Sequence, residues 1–451
     1  MKRFFVILVA LCLAVSERAQ AEVFKDGETV CFLGDSITHG GRYHSFIYDY
    51  YLTRFPDRTI RFVNAGVSGD SAGGAWGRLE EDVISKNPTT ITVMLGMNDV
   101  NRGSYVADPD AQKKAAQQDA FARYVSNMDR LVGRLRKEVN PHLVLITPSP
   151  FDQTAVNDRN NNQPGCNDGL VRCAGAVREL AGKYGCDVVD FNGPMTAFNL
   201  EHQKGDPAYT IIGPDRVHPG PQGHLMMAWL FLKAQGAPAL VSRVVVDAGG
   251  GAVTAADNAA VSGLEKKAGG VSFRVLEKAL PFPVDEAARP LLALAPVERD
   301  LNQEVLAVTG LAEGQYALVI DGAEVGRYSA GALEKGVNLA TNGAAPQVVQ
   351  AQEVAKINEA RRSAETVLRN HAAIRWFLRN RQVNPDDLAA VATFAETKMA
   401  NKTGYFESKV PDYLKNWDKR GEASAKVRGF EDAALKARQP VTHAYEVRPV
   451  K

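Results

Sequence analysis

The sequence has no apolar segment long enough to cross a membrane and no excess of charge of either sign. Its longest apolar run, residues 4–15, falls short of the roughly 20 residues that a transmembrane helix needs. Lys and Arg number 53 against 52 Asp and Glu, so nothing indicates a nucleic-acid or anionic-membrane partner. The chain also lacks fixed-period repeats and low-complexity tracts. These absences exclude a multispanning membrane protein and argue against a repeat protein.

The composition is that of a folded globular protein. Hydrophobic residues make up 45% and charged residues 23% of the 451 residues, which argues against wholesale disorder. At about 150 residues per domain, this length predicts two or three domains.

The apolar run near the N-terminus has the layout of a secretory signal peptide. Two basic residues precede it, and a polar stretch ending in AQA at residues 19–21 provides an A-x-A cleavage site. We therefore expect residues 1–21 to be a signal peptide that exports the protein to the periplasm or the medium. A lipoprotein anchor is disfavoured because Leu11, rather than a small residue, stands before Cys12.

Cysteines are few, and removal of the leader leaves four of the five. Cys31 and Cys186 lie in or beside apolar runs and are expected to be buried thiols. Cys166 and Cys173 lie seven residues apart in a loop that begins with Asn160 and is rich in Asn, Pro and Gly, in a protein expected to reach an oxidising compartment. We predict a disulfide between Cys166 and Cys173, although four cysteines allow three complete pairings.

Between residues 29 and 236, short apolar runs alternate with segments of helical period. The runs are continuous, as expected of strands covered on both faces. Five cycles of strand and helix predict an α/β domain at residues 22–240 with a doubly wound, parallel five-stranded sheet. Such sheets bind ligands beyond the carboxyl ends of their strands, so functional residues should follow strands. The predicted strands are residues 30–33, 60–63, 90–95, 143–146 and 187–191, and the predicted helices lie around residues 44–55, 76–83, 121–135, 169–184 and 222–233.

The pattern changes beyond residue 240. Short apolar runs with hairpin-turn residues predict a small β-rich accessory module at residues 241–342. Residues 347–384 contain no Gly or Pro and predict a long helix within a helical C-terminal region, residues 343–451. Two roles are open for this part of the chain: a β module that docks a polymer, or a helical arm that packs against the first domain as a partial lid.

Three side chains are candidates for nucleophilic catalysis. Ser36 lies on the turn that leaves the first predicted strand, and a serine hydroxyl needs an adjacent base that a carboxylate orients. Asp215 and His218 stand three residues apart near the end of the same domain. In a loop, this spacing lets Asp215 bind one ring nitrogen while the other faces Ser36. His218 could then take the serine proton and return it to a leaving alcohol.

Two further strand ends supply hydrogen-bond donors. The second predicted strand leads to Gly69, where a backbone amide can approach a ligand closely, and the third leads to the carboxamide of Asn98. Acyl transfer needs such donors where negative charge grows on the carbonyl oxygen. Three successive strands therefore bring a nucleophile, a backbone donor and a side-chain donor to one edge of the sheet.

These motifs resemble those of the GDSL, or SGNH, hydrolase family. The matching segments are GDSIT at residues 34–38, NAGVSG at 64–69, GMND at 96–99 and DRVH at 215–218. The resemblance covers roughly residues 29–236 and implies a flavodoxin-like SGNH hydrolase fold. It also implies Ser36 as nucleophile, Asp215 and His218 as the rest of the triad, and an oxyanion hole formed by the Ser36 and Gly69 amides and Asn98. Ile37 stands where the family name has leucine.

Two other sites are weighed against this one. Ser71 lies in GDSAG at residues 69–73, which fits the G-x-S-x-G pattern of α/β-hydrolases, but no predicted strand precedes it directly. His39 and His44, with nearby aspartates, could bind a metal, although no H-E-x-x-H or cysteine cluster is present. Comparison of Ser36→Ala with Ser71→Ala separates the two serines.

The sequence therefore predicts an exported serine esterase that needs no cofactor or metal. The preferred substrate is a small ester or acylated glycan, above all an O-acetyl group on a carbohydrate. A lipid or general short-chain esterase is the alternative within the family, and a noncatalytic glycan-binding or scaffold protein is the alternative outside it. Tyr43, Tyr48 and Trp76 could form a sugar platform or pack in the core. Oligomeric state stays open.

Overall fold

The first domain is built on a parallel sheet with helices on both faces. The computed structural model describes residues 23–398 and 404–450, so the predicted signal peptide lies outside the described residues. The sheet order is β2-β1-β3-β4-β5, and every pairing is parallel. This arrangement confirms the predicted doubly wound α/β fold. The strands are β1 (Thr29–Gly34), β2 (Arg61–Gly66), β3 (Thr90–Met94), β4 (His142–Ile146) and β5 (Asp187–Val189).

In the described part of the first domain, seven α-helices connect or follow these strands, and the sequence analysis missed two of them. The helix α1 is a single turn, too short to show a period, and Met195 is the only fully buried apolar side chain of α6. The helices are α1 (Ser36–His39), α2 (Arg42–Arg54), α3 (Ala72–Asp82), α4 (Ala111–Glu138), α5 (Cys166–Tyr184), α6 (Asn192–Gln203) and α7 (Pro221–Ala234).

Side chains of the central strand alternate between two hydrophobic cores. Val30 and Phe32 of β1 pack in the core beneath α2 and α7. Cys31 and Leu33 point to the opposite core, beneath α3, α4 and α5. Because both faces are covered, the strand appears in the sequence as a continuous apolar run. The carboxyl ends of β1, β2 and β3 lie side by side, at Gly34, Gly66 and Met94.

The predicted disulfide between Cys166 and Cys173 is wrong. Both residues belong to α5, which begins at Cys166, and both thiols are free and buried. Seven residues of helix rise about 10.5 Å, beyond the roughly 7 Å between Cα atoms that a disulfide can bridge. Burial raises the pKa of each thiol to about 12.

Two sheets that share one core form the β-rich module. One sheet has the order β13-β10-β6-β7, and the other contains β8, β9, β11 and β12. Val246, Leu306, Phe273 and Leu318 meet in the core between them. The strands are β6 (Leu240–Asp247), β7 (Ala252–Asp257), β8 (Ala259–Lys267), β9 (Gly270–Glu277), β10 (Gln303–Thr309), β11 (Gln315–Ile320), β12 (Ala323–Ser329) and β13 (Val337–Asn338). The helices are α8 (Val297–Leu301) and α9 (Ala330–Lys335).

A helical region follows, and its longest helix lies against the first domain. This helix packs along the last helix of the region on one side and contacts α2 and β2 on the other. It ends at Arg379, five residues before the predicted end. The helices are α10 (Pro346–Arg379), α11 (Leu388–Lys398), α12 (Tyr405–Lys415) and α13 (Arg420–Ala437). No helix in the described part of the chain is long and apolar enough to span a bilayer.

The chain then returns to the β-rich module with a strand that the sequence analysis placed in the helical region. This strand, β14 (His443–Pro449), lies at the centre of the five-stranded order β12-β11-β14-β9-β8. Tyr445 pairs with Ile320 on one side and Phe273 on the other. The β-rich module is therefore completed by residues that lie about a hundred positions beyond its predicted end.

Candidate active site

Ser36 begins the helix that directly follows β1. Asp35 caps this helix, and its Oδ1 accepts a hydrogen bond from the Ile37 amide at 3.0 Å. The turn of α1 passes so close to β2 that a Cβ atom on Gly66 would lie 2.1 Å from the His39 nitrogen. Only glycine allows this approach, which holds Ser36 at the carboxyl edge of the sheet.

The predicted acid, base and nucleophile form a continuous chain of hydrogen bonds. Ser36 Oγ lies 2.7 Å from His218 Nε2, and His218 Nδ1 lies 2.5 Å from Asp215 Oδ2. The other carboxylate oxygen of Asp215 accepts from the backbone amides of Val217 and His218 at 3.1 and 3.0 Å. Partial burial of Asp215 acts to raise its pKa, but the hydrogen bonds from His218 and these amides outweigh it, so the pKa is lowered. The carboxylate is therefore ionised near neutral pH.

Arg216, between Asp215 and His218, anchors this loop, and the sequence analysis did not single it out. Its φ of 66° lies in the left-handed region. Its guanidinium is buried and donates to the carbonyls of Asp152 and Ala155 at 2.8 Å each. A third bond, at 2.9 Å, goes to Asn161 Oδ1. These bonds hold the loop against the segment after β4.

The predicted oxyanion donors lie on the adjacent loops after β2 and β3. Gly69 is exposed at a φ of 75°, and open space lies beside its Cα. Asn98 Nδ2 donates to the Asp70 carbonyl at 2.8 Å, which fixes the orientation of the carboxamide. Within residues 23–398 and 404–450, the amides of Ser36 and Gly69 donate no hydrogen bond. Both amides are therefore available to a ligand oxygen.

A buried chain of alternating charges runs from this loop into α10. Asp70 pairs with Arg78 at 2.7 Å, and Arg78 pairs with Asp82 at 2.6 Å. Arg369 of α10 completes the chain with a 2.6 Å bond from Nη1 to Asp82 Oδ1. Burial alone would raise the pKa of Asp82, but Arg369 and Arg78 outweigh it and lower the pKa.

A second contact with α10 passes through His39. Its Nε2 lies 3.0 Å from Asn370 Oδ1, and its Nδ1 accepts from the Ser68 amide at 3.1 Å. Burial, reinforced by the charge of Arg369, lowers the pKa of His39 to about 3. The ring is therefore neutral, with a proton on Nε2 and an acceptor at Nδ1.

Comparisons with known proteins place this chain in a family. A sequence profile of the GDSL-like lipase/acylhydrolase family matches residues 32–226. The chain is also similar to the structure of a gut microbial diltiazem-metabolizing enzyme. The two share 31% identity and a TM-score of 0.90, over 96% of this chain and 99% of that one. The chain belongs to the GDSL-like lipase/acylhydrolase family. The protein is therefore a hydrolase that acts on ester bonds.

The GDSL-like hydrolase has shorter relatives as well. An acetylxylan esterase from Geobacillus stearothermophilus is 28% identical over 225 residues, which cover 47% of this chain and 94% of that protein. The crystal structure of an acetylxylan esterase from the same species is 27% identical, with a TM-score of 0.37 over 47% of this chain and 95% of that one. The similarity to the diltiazem-metabolizing enzyme, in contrast, extends through the β-rich and helical regions.

The second serine of this GDSL-like hydrolase has a structural position. Ser71 is the N-cap of α3, and its hydroxyl accepts from the Gly74 amide at 3.2 Å. The residue does not follow a strand directly, since β2 ends five residues earlier at Gly66. A nucleophile elbow needs such a strand, so the G-x-S-x-G pattern has no matching geometry here.

The two histidines considered as metal ligands both bind protein groups. His39 bridges Asn370 and Ser68, and His44 Nε2 lies 3.2 Å from the Thr38 carbonyl. Among the residues that the structure describes, no group of three or more His, Cys, Asp or Glu side chains is placed to hold a metal ion.

The aromatic residues considered as a sugar platform do not form one. Tyr43 and Tyr48 are buried in the core beneath α2, and Trp76 stacks under the guanidinium groups of Arg130 and Arg134. A cavity of about 1050 Å³ lies instead between α2, residues 283–290 and α10. Phe46, Pro283 and Lys356 are among its lining residues, whereas Ser36, Asp215 and His218 do not line it.

Proposed function

We propose that this GDSL-like hydrolase is an exported serine esterase that removes a short acyl group, an O-acetyl group, from a carbohydrate. The supporting observation is the hydrogen-bonded chain from Ser36 through His218 to Asp215, with both links at 2.7 Å or less. In a serine hydrolase this arrangement makes the hydroxyl a nucleophile without a cofactor.

Each residue of the proposed triad has a defined part in proton transfer. Asp215 holds the proton of His218 on Nδ1, so Nε2 is free to accept the hydroxyl proton as Ser36 Oγ attacks the acyl carbonyl. When the tetrahedral intermediate collapses, the ester C–O bond breaks and Nε2 returns the proton to the alcohol. Water then attacks the acyl-serine and loses a proton to Nε2. When this second tetrahedral intermediate collapses, the bond from the acyl carbon to Ser36 Oγ breaks and Nε2 returns the proton to Oγ, which releases the carboxylic acid and restores the Ser36 hydroxyl.

The proposed oxyanion hole stabilises both tetrahedral intermediates. The carbonyl oxygen becomes negative when Ser36 attacks, and it would accept from the Ser36 amide, the Gly69 amide and Asn98 Nδ2. Because the surrounding protein already holds these donors in place, little reorganisation accompanies charge development.

The relatives support an acetylated carbohydrate as substrate without restricting it to one polymer. The similarity to an acetylxylan esterase favours an O-acetyl group on a polysaccharide. The full-length relative is named for the metabolism of diltiazem, which keeps a general short-chain esterase as a second candidate. Acetate release from a panel of acetylated polysaccharides, compared with hydrolysis of aryl acetate and aryl octanoate, separates the two. A preference for octanoate would contradict the proposal for an acetyl group.

Serine variants test the catalytic assignment. Ser36→Ala should abolish hydrolysis and labelling by an active-serine probe, whereas Ser71→Ala should keep both. Full activity of Ser36→Ala would refute the assignment. Binding to a polysaccharide without cleavage of any acylated substrate would instead favour a noncatalytic glycan-binding or scaffold protein.

Export is tested separately. If the leader is cleaved after Ala21, the protein recovered from the periplasm or the medium should begin at Glu22. Recovery of the chain from the cytoplasm with its leader intact would contradict this part of the proposal.

A further inference from the structure

We propose that Arg369 and Asn370 of α10 are positioning residues that hold the oxyanion loop, residues 67–70, on both sides of Gly69. This inference rests on the proposed function, in which the Gly69 amide and Asn98 bind the developing oxyanion. It makes the C-terminal helical region a part of the catalytic apparatus rather than an appendage.

The first connection fixes the N-terminal side of Gly69. Asn370 Oδ1 accepts from His39 Nε2 at 3.0 Å, which leaves Nδ1 as an acceptor. That nitrogen lies 3.1 Å from the Ser68 amide and 3.2 Å from Ser68 Oγ. Because Ser68 directly precedes Gly69, its orientation helps to set the direction of the Gly69 N–H bond. Loss of the Asn370 oxygen would remove the group that selects this tautomer of His39.

The second connection fixes the C-terminal side of Gly69. Arg369 binds Asp82, Asp82 binds Arg78, and Arg78 Nε donates to Asp70 Oδ2 at 2.8 Å. Asp70 follows Gly69, and its carbonyl accepts the bond from Asn98 Nδ2. At Asp70, the charge chain therefore adjoins both the Gly69 amide and Asn98 Nδ2, two donors of the proposed oxyanion hole.

Burial of the chain argues for a geometric role. The side chains of Arg78, Asp70 and Arg369 are exposed by 3%, 0% and 4%. Buried ion pairs add little net stability, because removal of both charges from water offsets their attraction. If the contact between α10 and the first domain only held the two together, apolar side chains would make it equally stable. The Arg369–Asp82 contact is bidentate, and such contacts fix the relative orientation of the two groups, which suits a role in positioning the loop.

The test compares Asn370→Leu with a matched change on the same helix. Asn370→Leu removes the acceptor at similar volume, and we expect kcat to fall roughly tenfold or more while KM changes little, since the loss arises in the transition state. Asn370→Asp keeps an acceptor oxygen and should retain most of kcat at about pH 8. Arg369→Lys keeps the charge but loses the bidentate contact, and it should also lower kcat.

Asn358→Leu is the control. Asn358 is likewise a buried asparagine of α10, but it donates to Ser45 Oγ at 3.1 Å and Asp49 Oδ1 at 2.8 Å, away from the oxyanion loop. This variant should lower the thermal midpoint and leave kcat per active site unchanged. Active sites are counted with an active-serine probe, so that unfolded protein does not enter kcat. If Asn370→Leu does not fold, Arg369→Lys gives the same comparison against Arg361→Lys.

A double-mutant cycle provides a readout that a structural role would not change. If Arg369 acts through Asp70, whose carbonyl orients Asn98, Arg369→Lys should cost less in an Asn98→Ala background than in the wild-type protein. Unchanged kcat in Asn370→Leu, equal losses in Asn370→Leu and Asn358→Leu, or additive losses of Arg369→Lys and Asn98→Ala would each overturn the inference. Full activity of Ser36→Ala would instead refute the proposed function.

Discussion

Substitution of Arg216 by glycine sets backbone strain against buried hydrogen bonds in the loop that carries Asp215 and His218. At a φ of 66°, Arg216 occupies a conformation that costs an L-residue about 1–2 kcal/mol, which glycine would recover. The substitution also removes three hydrogen bonds of a guanidinium that is 4% exposed, each about 1.5–3 kcal/mol because the donor is charged. Three bonds of about 1.5 kcal/mol each outweigh a relieved strain of at most about 2 kcal/mol, so Arg216→Gly should destabilise the first domain by at least about 2.5 kcal/mol.

Calorimetry and kinetics test this expectation. A loss of this size should lower the thermal midpoint of a domain of about 200 residues by roughly 5 °C or more. The value of kcat should fall as well, because His218 no longer has a fixed position relative to Ser36. Asn87→Gly is the control: Asn87 is exposed at a φ of 49°, so its substitution relieves strain without loss of a buried bond. An Arg216→Gly protein as stable as the wild type would refute the reasoning.

Three further predictions concern the site and the thiols. Asn98→Ala should lower kcat by roughly 100- to 1000-fold, since it removes one oxyanion donor, and should lower the thermal midpoint only slightly through loss of its bond to the Asp70 carbonyl; a loss in kcat below tenfold would contradict that role. Burial raises the pKa of Asp35 from 3.8 to about 6, so the folded state loses stability as pH rises from about 4 to 6. Asp35→Asn keeps an oxygen for the Ile37 amide without a buried charge, and it should raise the thermal midpoint at pH 7 more than at pH 4; an equal difference at both pH values would refute this. Cys166 and Cys173 should resist iodoacetamide in the native protein, and a reductant should not change the thermal midpoint; a large shift on reduction would indicate a disulfide.

The parts of the fold that the sequence predicts well are those whose pattern is local. Five continuous apolar runs locate the buried strands of the first domain because each is covered on both faces. The family motifs single out Ser36, Asp215 and His218. In the structure these residues form consecutive hydrogen bonds, although they are separated by up to 182 positions along the chain. The weak period of α6 and the exposed strands β7 and β8 leave no such pattern, so these elements escape prediction.

The contacts of α10 could not be predicted because they depend on distant pairing. Arg361 and Arg369 lie on the buried face of the helix, although charged residues in a helix normally indicate a solvated face. They are buried because Glu365 and Asp82 neutralise them, and Asp82 lies 287 positions from Arg369. No local pattern reveals such a partner. The same limitation applies to β14, whose neighbours in the sheet are β9 and β11.

The later regions are not separable from the first domain. The core beneath α2 and α7 includes Leu291 from the β-rich module, Val354 from α10 and Ala434 from α13. A chain that ends at residue 240 would expose this core and leave Asp82 without Arg369. Loss of one partner from a buried ion pair typically costs about 3–5 kcal/mol.

We therefore expect the chain of residues 22–240 to be poorly soluble and to have a kcat far below that of residues 22–451, measured per active site titrated with an active-serine probe. The strand β14 connects the end of α13 to the β-rich module, and α13 packs along α10. Deletion of β14 alone should therefore loosen the packing of α13 against α10 and also lower kcat. A soluble, monomeric 22–240 fragment with undiminished kcat would show that the first domain is catalytically complete. It would also refute the proposed role of α10 in positioning the oxyanion loop.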